Sequence, residues 1–219
     1  MIEDGFFGFG NGGVTLNTIN DFDFAQIKKE IEKIKINFSV ANDAGNYLIG
    51  HLENSYDVVE SKSTIERVVK TIIKNDNNLQ ETYKKSLSVL PAEEVNNVDL
   101  CLDKCWVNFQ QKYEFQPIHD HSGVYSFIIF YQIPFDINDE KIFSPGKKAN
   151  ENLSGMLNFH YADYSGVISS MSIPADKHWQ KRIFVFPAKL KHSVYPYYSS
   201  DDFRITISGN IALTTKEQN

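Results

Sequence analysis

Histidine is the residue to follow first. The chain has six, His51, His119, His121, His160, His178 and His192. Two of them form the unit His119-Asp120-His121, just ahead of an apolar run. On an extended backbone positions i and i+2 share a face, so both imidazoles can reach one metal while Asp120 turns away. Alone, that element reads equally well as a polar strand end with solvated histidines. His192 shifts the balance. It follows Phe186-Pro187 in FVFPAKLKHSVYP, and twelve residues later Arg204 opens Arg204-Ile205-Thr206-Ile207-Ser208. Arg204, Thr206 and Ser208 share one strand face. A guanidinium fork with a neighbouring hydroxyl suits a carboxylate, and a buried Arg requires an anion. The competing reading is an edge-strand Arg paired to Asp201 or Asp202.

These residues need strands to hold them, and the pattern supplies strands after Pro91. Apolar, β-branched and aromatic runs at 98–109, 125–133, 155–161, 166–173, 182–187 and 203–213 are bounded by Gly, Pro, Asp, Asn or Ser. Before Pro91 the pattern is helical. A helix is expected from Asp21 or Asp23, with Phe24, Ile27, Ile31 and Ile34 on one stripe. A second carries Ile65, Val68, Val69, Ile72 and Ile73, with Ser63 and Glu66 as a capping box. A third covers roughly 79–87. Residues 1–20 read as an irregular or extended arm. Helices followed by antiparallel strands predict an α+β fold with a sandwich or small barrel.

Several blocks of the strand half resemble the 2-oxoglutarate/Fe(II)-dependent dioxygenase superfamily. They are Trp106-Val107-Asn108, His119-Asp120-His121, Ser122-Gly123-Val124-Tyr125, Gly155-Met156-Leu157-Asn158-Phe159, Phe186-Pro187 through His192-Ser193-Val194-Tyr195-Pro196, and Arg204-Ile205-Thr206. The pattern is most similar to a microbial and phage-encoded branch, and it covers roughly 98–213. The resemblance implies a double-stranded β-helix (jelly-roll, cupin-like) core over 96–215, with 1–95 a mainly helical supporting region of the same single domain, 1–219. It implies iron on His119, His121 and His192, and Arg204 with Thr206 on the far carboxylate of 2-oxoglutarate. Asn108 and Tyr125, with Tyr131, are further candidates to contact 2-oxoglutarate, against plain barrel packing. The activity implied is a hydroxylase that couples decarboxylation of 2-oxoglutarate to succinate with oxidation of a C–H bond.

One departure stands out. The superfamily pattern has a carboxylate where this chain has His121. Either three imidazoles bind the metal, which strand alternation favours, or a bulge brings in Asp120 as ligand. On the first reading Asp120 is the candidate catalytic carboxylate, orienting an imidazole or contacting substrate. The departure also keeps two alternatives open: a three-His cupin-like oxygenase without 2-oxoglutarate, and a non-catalytic interaction protein on the same fold. His51, His160 and His178 read as structural, and 136–152 as a lid or a mobile loop.

Bulk composition narrows partners. A formal charge of -6 disfavours nucleic acid. Cys101 and Cys105 lack zinc-site spacing and read as reduced thiols of a cytoplasmic protein (host cytoplasm if virus-encoded). The first residues do not read as a secretory signal, and no apolar stretch suits a membrane span. The expected substrate is a small molecule or a protein side chain, and edge strands leave room for a homodimer.

Overall fold

The computed structural model describes residues 2–9 and 12–216. In chain order it has β1 (Gly5–Phe9), β2 (Gly12–Thr18), α1 (Asp21–Ile36), β3 (Ser55–Asp57), α2 (Lys62–Asn75), α3 (Asn77–Leu87), α4 (Ala92–Val95), β4 (Val98–Gln110), β5 (Gln116–His119) and β6 (Tyr125–Gln132). Then follow α5 (Ile137–Phe143), β7 (Leu157–Ala162), β8 (Ile168–Ile173), β9 (Arg182–Pro187), β10 (Lys191–Val194) and β11 (Arg204–Thr215).

The strands form two antiparallel sheets. One has seven strands in the order β1-β2-β9-β6-β11-β4-β3, and the other has four, β5-β10-β7-β8. From β4 onward the chain crosses repeatedly between them: β4, β6, β9 and β11 join the large sheet, while β5, β7, β8 and β10 build the small one. That winding is the double-stranded β-helix. Between the sheets lies an aromatic core that includes Phe130, Phe159, Phe184 and Phe186.

A second core lies on the outer face of the large sheet. The apolar stripes of α1 and α2 (Phe24, Ile27, Ile31, Ile65, Val69) pack there against Val107, Phe109, Ile205 and Ile207. Helical periodicity meets strand alternation at this layer, which is why the outer face of the large sheet is largely apolar. Asn20 caps α1 by accepting from the Asp23 N–H.

Two expectations differ from what is observed. Residues 1–20, where described, are not an arm: β1 and β2 form a hairpin, and β2 pairs with β9 from Thr15–Val185 to Thr18–Arg182. The glycines masked an alternating segment, with Val14 and Leu16 fully buried. (Residues 1, 10 and 11 fall outside the described part.) Ser63 is not a helix cap either. The helix starts earlier, after Ser61, whose hydroxyl donates to the buried Glu30 carboxylate at 2.6 Å. Glu30 also accepts the N–H groups of Val59, Glu60 and Ser61. A distant side chain, invisible to local spacing, therefore organises this turn.

Candidate metal centre

His119 ends β5, His192 sits in β10, and the two face each other as register partners. His121 follows two residues beyond His119, and its backbone N–H donates to the Ala188 carbonyl at 2.9 Å. That bond carries the extended direction of β5 past its last ladder pair. The three side chains therefore converge, with one ligating nitrogen from each lying within 4.8 Å of the others. Nε2 of His121 comes within 3.3 Å of Nε2 of His192.

Backbone carbonyls orient two of the rings. His119 Nδ1 lies 2.7 Å from the Pro117 oxygen, and His192 Nδ1 lies 3.0 Å from the Leu190 oxygen. With each Nδ1–H donated outward, the Nε2 lone pairs point to the shared centre. Desolvation lowers the pKa of all three imidazoles, that of His121 to about 4, and the neighbouring histidines push His121 and His192 further down. All three are thus neutral at physiological pH, the form that ligates.

Asp120 behaves as strand alternation requires. It faces away and pairs with Lys191 at 2.5 Å and Lys189 at 3.4 Å. Lys191, which donates a hydrogen bond to it, is the main cause of its lowered pKa. Asp120 is not among the clustered ligands, and its two carboxylate oxygens are engaged by these two ammonium groups.

On the large sheet opposite, the inward faces of β4 and β11 form a polar ladder. The register pairs are Arg204–Gln110, Thr206–Asn108, Ser208–Trp106 and Asn210–Lys104. Arg204, Thr206, Asn108 and the three histidines line one cavity. It is tight, with about 20 Å³ of free space, so a ligand enters by displacing lining side chains. Arg204 is 2% exposed. One guanidinium nitrogen donates to the Gly155 carbonyl at 2.9 Å, whereas Nε is buried without a partner. Burial pushes its pKa down to about 10. The edge-strand reading fails, since Asp201 pairs with Lys112 and Arg204 has no ion pair among the described residues.

Tyr125 does not reach this cavity. It has the parity of Phe127 and Ile129, faces the helices, and donates its hydroxyl to the Leu79 carbonyl. Tyr131 shares that face and bonds Glu32. The residues of β6 that look inward are Ile128 and Phe130. Asn108 does face inward, with its oxygen held by the Ser55 hydroxyl at 2.8 Å. Sequence reasoning missed Gln110 and Trp106 as lining residues. Their signal was available, because both share the parity of Asn108 on β4.

The other histidines stay outside the cluster. His160 lies between the Ser170 and Ser193 hydroxyls, and His51 stacks on Phe115. The 136–152 segment is not an unstructured loop. It contains α5, whose buried Glu140 accepts N–H groups from Tyr198 and Ser199 at 2.8 Å each.

Residues 104–210 match a family described as "Putative 2OG-Fe(II) oxygenase", and that span contains the three histidines and Arg204. Over the stretch that holds the site, the chain thus matches the 2-oxoglutarate/Fe(II) oxygenases. It is thus an oxidoreductase, with the iron(II) and 2-oxoglutarate of its family as cofactors. Solved structures of this oxygenase fold align along nearly the whole chain. A prolyl hydroxylase from Trichoplax adhaerens, solved in complex with a hypoxia inducible factor peptide fragment, is 12% identical with a TM-score of 0.55, covering 94% of this chain and 84% of its own. The non-haem α-ketoglutarate-dependent epimerase SnoN from nogalamycin biosynthesis is 11% identical with a TM-score of 0.52, covering 94% and 81%. At such identities the likeness establishes the double-stranded β-helix of this oxygenase and nothing of its substrate. No curated protein matches the chain significantly. No helix among the described residues is long and apolar enough to cross a membrane.

Proposed function

We propose that this oxygenase hydroxylates an unactivated C–H bond, with His119, His121 and His192 holding iron(II) and Arg204 holding the far carboxylate of 2-oxoglutarate. One observation carries the reading. A fully buried guanidinium with an orphaned Nε lines the same cavity as three converging neutral imidazoles. A buried cation without an anion is costly, and a dicarboxylate cosubstrate supplies that anion.

The donor set fits the metal. Imidazole nitrogens suit iron(II), and the three leave its remaining positions open. Bound together, iron(II) and 2-oxoglutarate supply oxidative decarboxylation to succinate coupled to oxygen insertion into a C–H bond. The protein's residues bind and orient. Arg204 gives a charge-assisted donor at fixed depth, Thr206 adds a hydroxyl beside it, and the side-chain amide of Asn108, its oxygen engaged by Ser55, has N–H groups left to donate. Three neutral ligands, in place of two and a carboxylate, leave one more positive charge on the metal, which tightens the hold on an anionic chelator. The substrate is a small molecule or a protein side chain. The helical layer and the β-helix act as one domain, because α1 and α2 cover the back of the sheet that carries Arg204.

The test is an anaerobic titration of the iron(II)-loaded protein with 2-oxoglutarate, following the visible metal-to-ligand charge-transfer band. A saturable band is expected, lost in His192→Ala and strongly weakened in Arg204→Ala. A folded, metal-loaded wild type without a band refutes the reading. Retention of full affinity in Arg204→Ala favours a three-His oxygenase that does not use 2-oxoglutarate.

A further inference from the structure

The polar ladder continues past the metal centre, away from Arg204. There a second cavity of about 120 Å³ shares Trp106, His119 and His121 with the first. Its other walls include Lys104, Asn210 and Tyr47.

The groups that meet in it are hydrogen-bond donors. The Trp106 indole N–H is buried without a partner, on a residue only 2% exposed. Asn210 accepts the Ser126 hydroxyl at 2.9 Å through its oxygen, so its amide N–H groups remain. Lys104, its register partner, has no ion pair among the described residues, and its ammonium sits 4.1 Å above the Tyr47 ring. The one acid at the cavity, Asp120, is already held by Lys189 and Lys191. The Tyr47 hydroxyl is engaged too, donating to Asp57. In a chain of net charge -6, this wall offers a cation and donors with no free carboxylate to match among the described residues.

Resting on the oxygenase reading above, we infer that this cavity is the substrate subsite and that it takes a small, amino-acid-sized carboxylic acid. The carboxylate lies against Lys104, the Asn210 amide and the Trp106 N–H, and the remainder of the molecule is directed at His119 and His121. The ladder then has two anion positions, Arg204 for the cosubstrate and Lys104 for the substrate, with the metal between them. A buried, unpaired indole N–H is the expected state of a donor whose partner is the ligand.

The experiment reads binding rather than turnover. The chain has two tryptophans, so Trp179→Phe leaves Trp106 as the only indole reporter. Manganese-loaded protein carrying that change is first saturated with N-oxalylglycine, a non-reacting mimic of 2-oxoglutarate. It is then titrated with the standard amino acids as free acids, with their carboxamides, and with inorganic phosphate. Expected is a saturable change in Trp106 emission with at least one free acid, and binding at least about tenfold weaker for its amide. Lys104→Ala weakens that acid by about tenfold or more and Lys104→Arg restores it, whereas Arg204→Ala weakens N-oxalylglycine. Lys104 is exposed, so its replacement leaves the fold intact. The inference is overturned if no acid binds, if acids and amides bind alike, if phosphate alone binds, or if Lys104→Ala binds the acid as well as wild type. Failure of N-oxalylglycine itself overturns the cosubstrate reading as well, and is seen separately in the first step.

Discussion

Replacing Arg204 with Met separates the stability of this fold from its function. Arg204 is fully buried, and desolvation pushes its pKa down from the ordinary guanidinium value to about 10. A fall of that size is worth about 3 kcal/mol against the charged form in the folded protein. The opposing term is the hydrogen bond to the Gly155 carbonyl, worth about 1.5 kcal/mol. Met has a similar length and no charge to desolvate. Ligand-free Arg204→Met should therefore gain stability on the order of 1–2 kcal/mol, a rise in Tm of a few degrees for a chain of this size. Below pH 10 the guanidinium is protonated in both folded and unfolded states. Its penalty is thus constant there, and it is relieved only as pH rises above about 10 toward the ordinary guanidinium value. The Tm gap between variant and wild type should accordingly stay level across neutral pH. Affinity for 2-oxoglutarate should move the other way. Losing a buried charge-assisted fork costs about 3 kcal/mol, or roughly two orders of magnitude in Kd. Thermal melts with and without 2-oxoglutarate and manganese measure both effects. A variant that melts below wild type without ligand, yet keeps its 2-oxoglutarate affinity within about tenfold, refutes the argument.

Three further outcomes follow. Gly123 has φ +91°, and a Cβ there would lie 2.6 Å from the Ile211 carbonyl oxygen, so Gly123→Ala should destabilise by about 2 kcal/mol or more in chemical denaturation and, by moving His121, also weaken metal binding. Glu140→Gln turns charge-assisted acceptance from Tyr198 and Ser199 into weaker neutral bonds; a loss of about 2 kcal/mol is expected, with faster proteolysis at 136–155 as its local signature. Manganese calorimetry should show His121→Ala losing more than about tenfold in affinity while His121→Asp stays close to wild type, because an aspartate there supplies the carboxylate common in such sites; equal losses in both would argue against His121 as a ligand.

Local chemistry made much of this protein legible before any coordinates. The stripes of α1 and α2 and the strand runs after Pro91 follow from period and residue type, while the choice of His119, His121, His192 and Arg204 as one set came from the family resemblance. The errors share one origin, the side of a strand. Tyr125, a candidate for the cavity against plain barrel packing, has the parity of Phe127 and Ile129, which face the helices. Trp106 and Gln110 were passed over although they share the parity of Asn108 and line the site. Alternation groups residues into two faces, but which face looks at the metal depends on what packs behind the sheet.

The amino-acid order by itself determined which groups could do chemistry here: two imidazoles two residues apart, a third far downstream, and a guanidinium sharing a strand face with a hydroxyl two residues on. Those are properties of side chains and of backbone period, and they survive without neighbours. Only the tertiary structure decided that His119 and His192 are register partners, that Lys189 and Lys191 hold Asp120 away, and that Arg204 reaches the interior with no acid to meet it. Each of these is a long-range pairing, and its energy comes from desolvation and from partners distant in sequence. No local pattern records either.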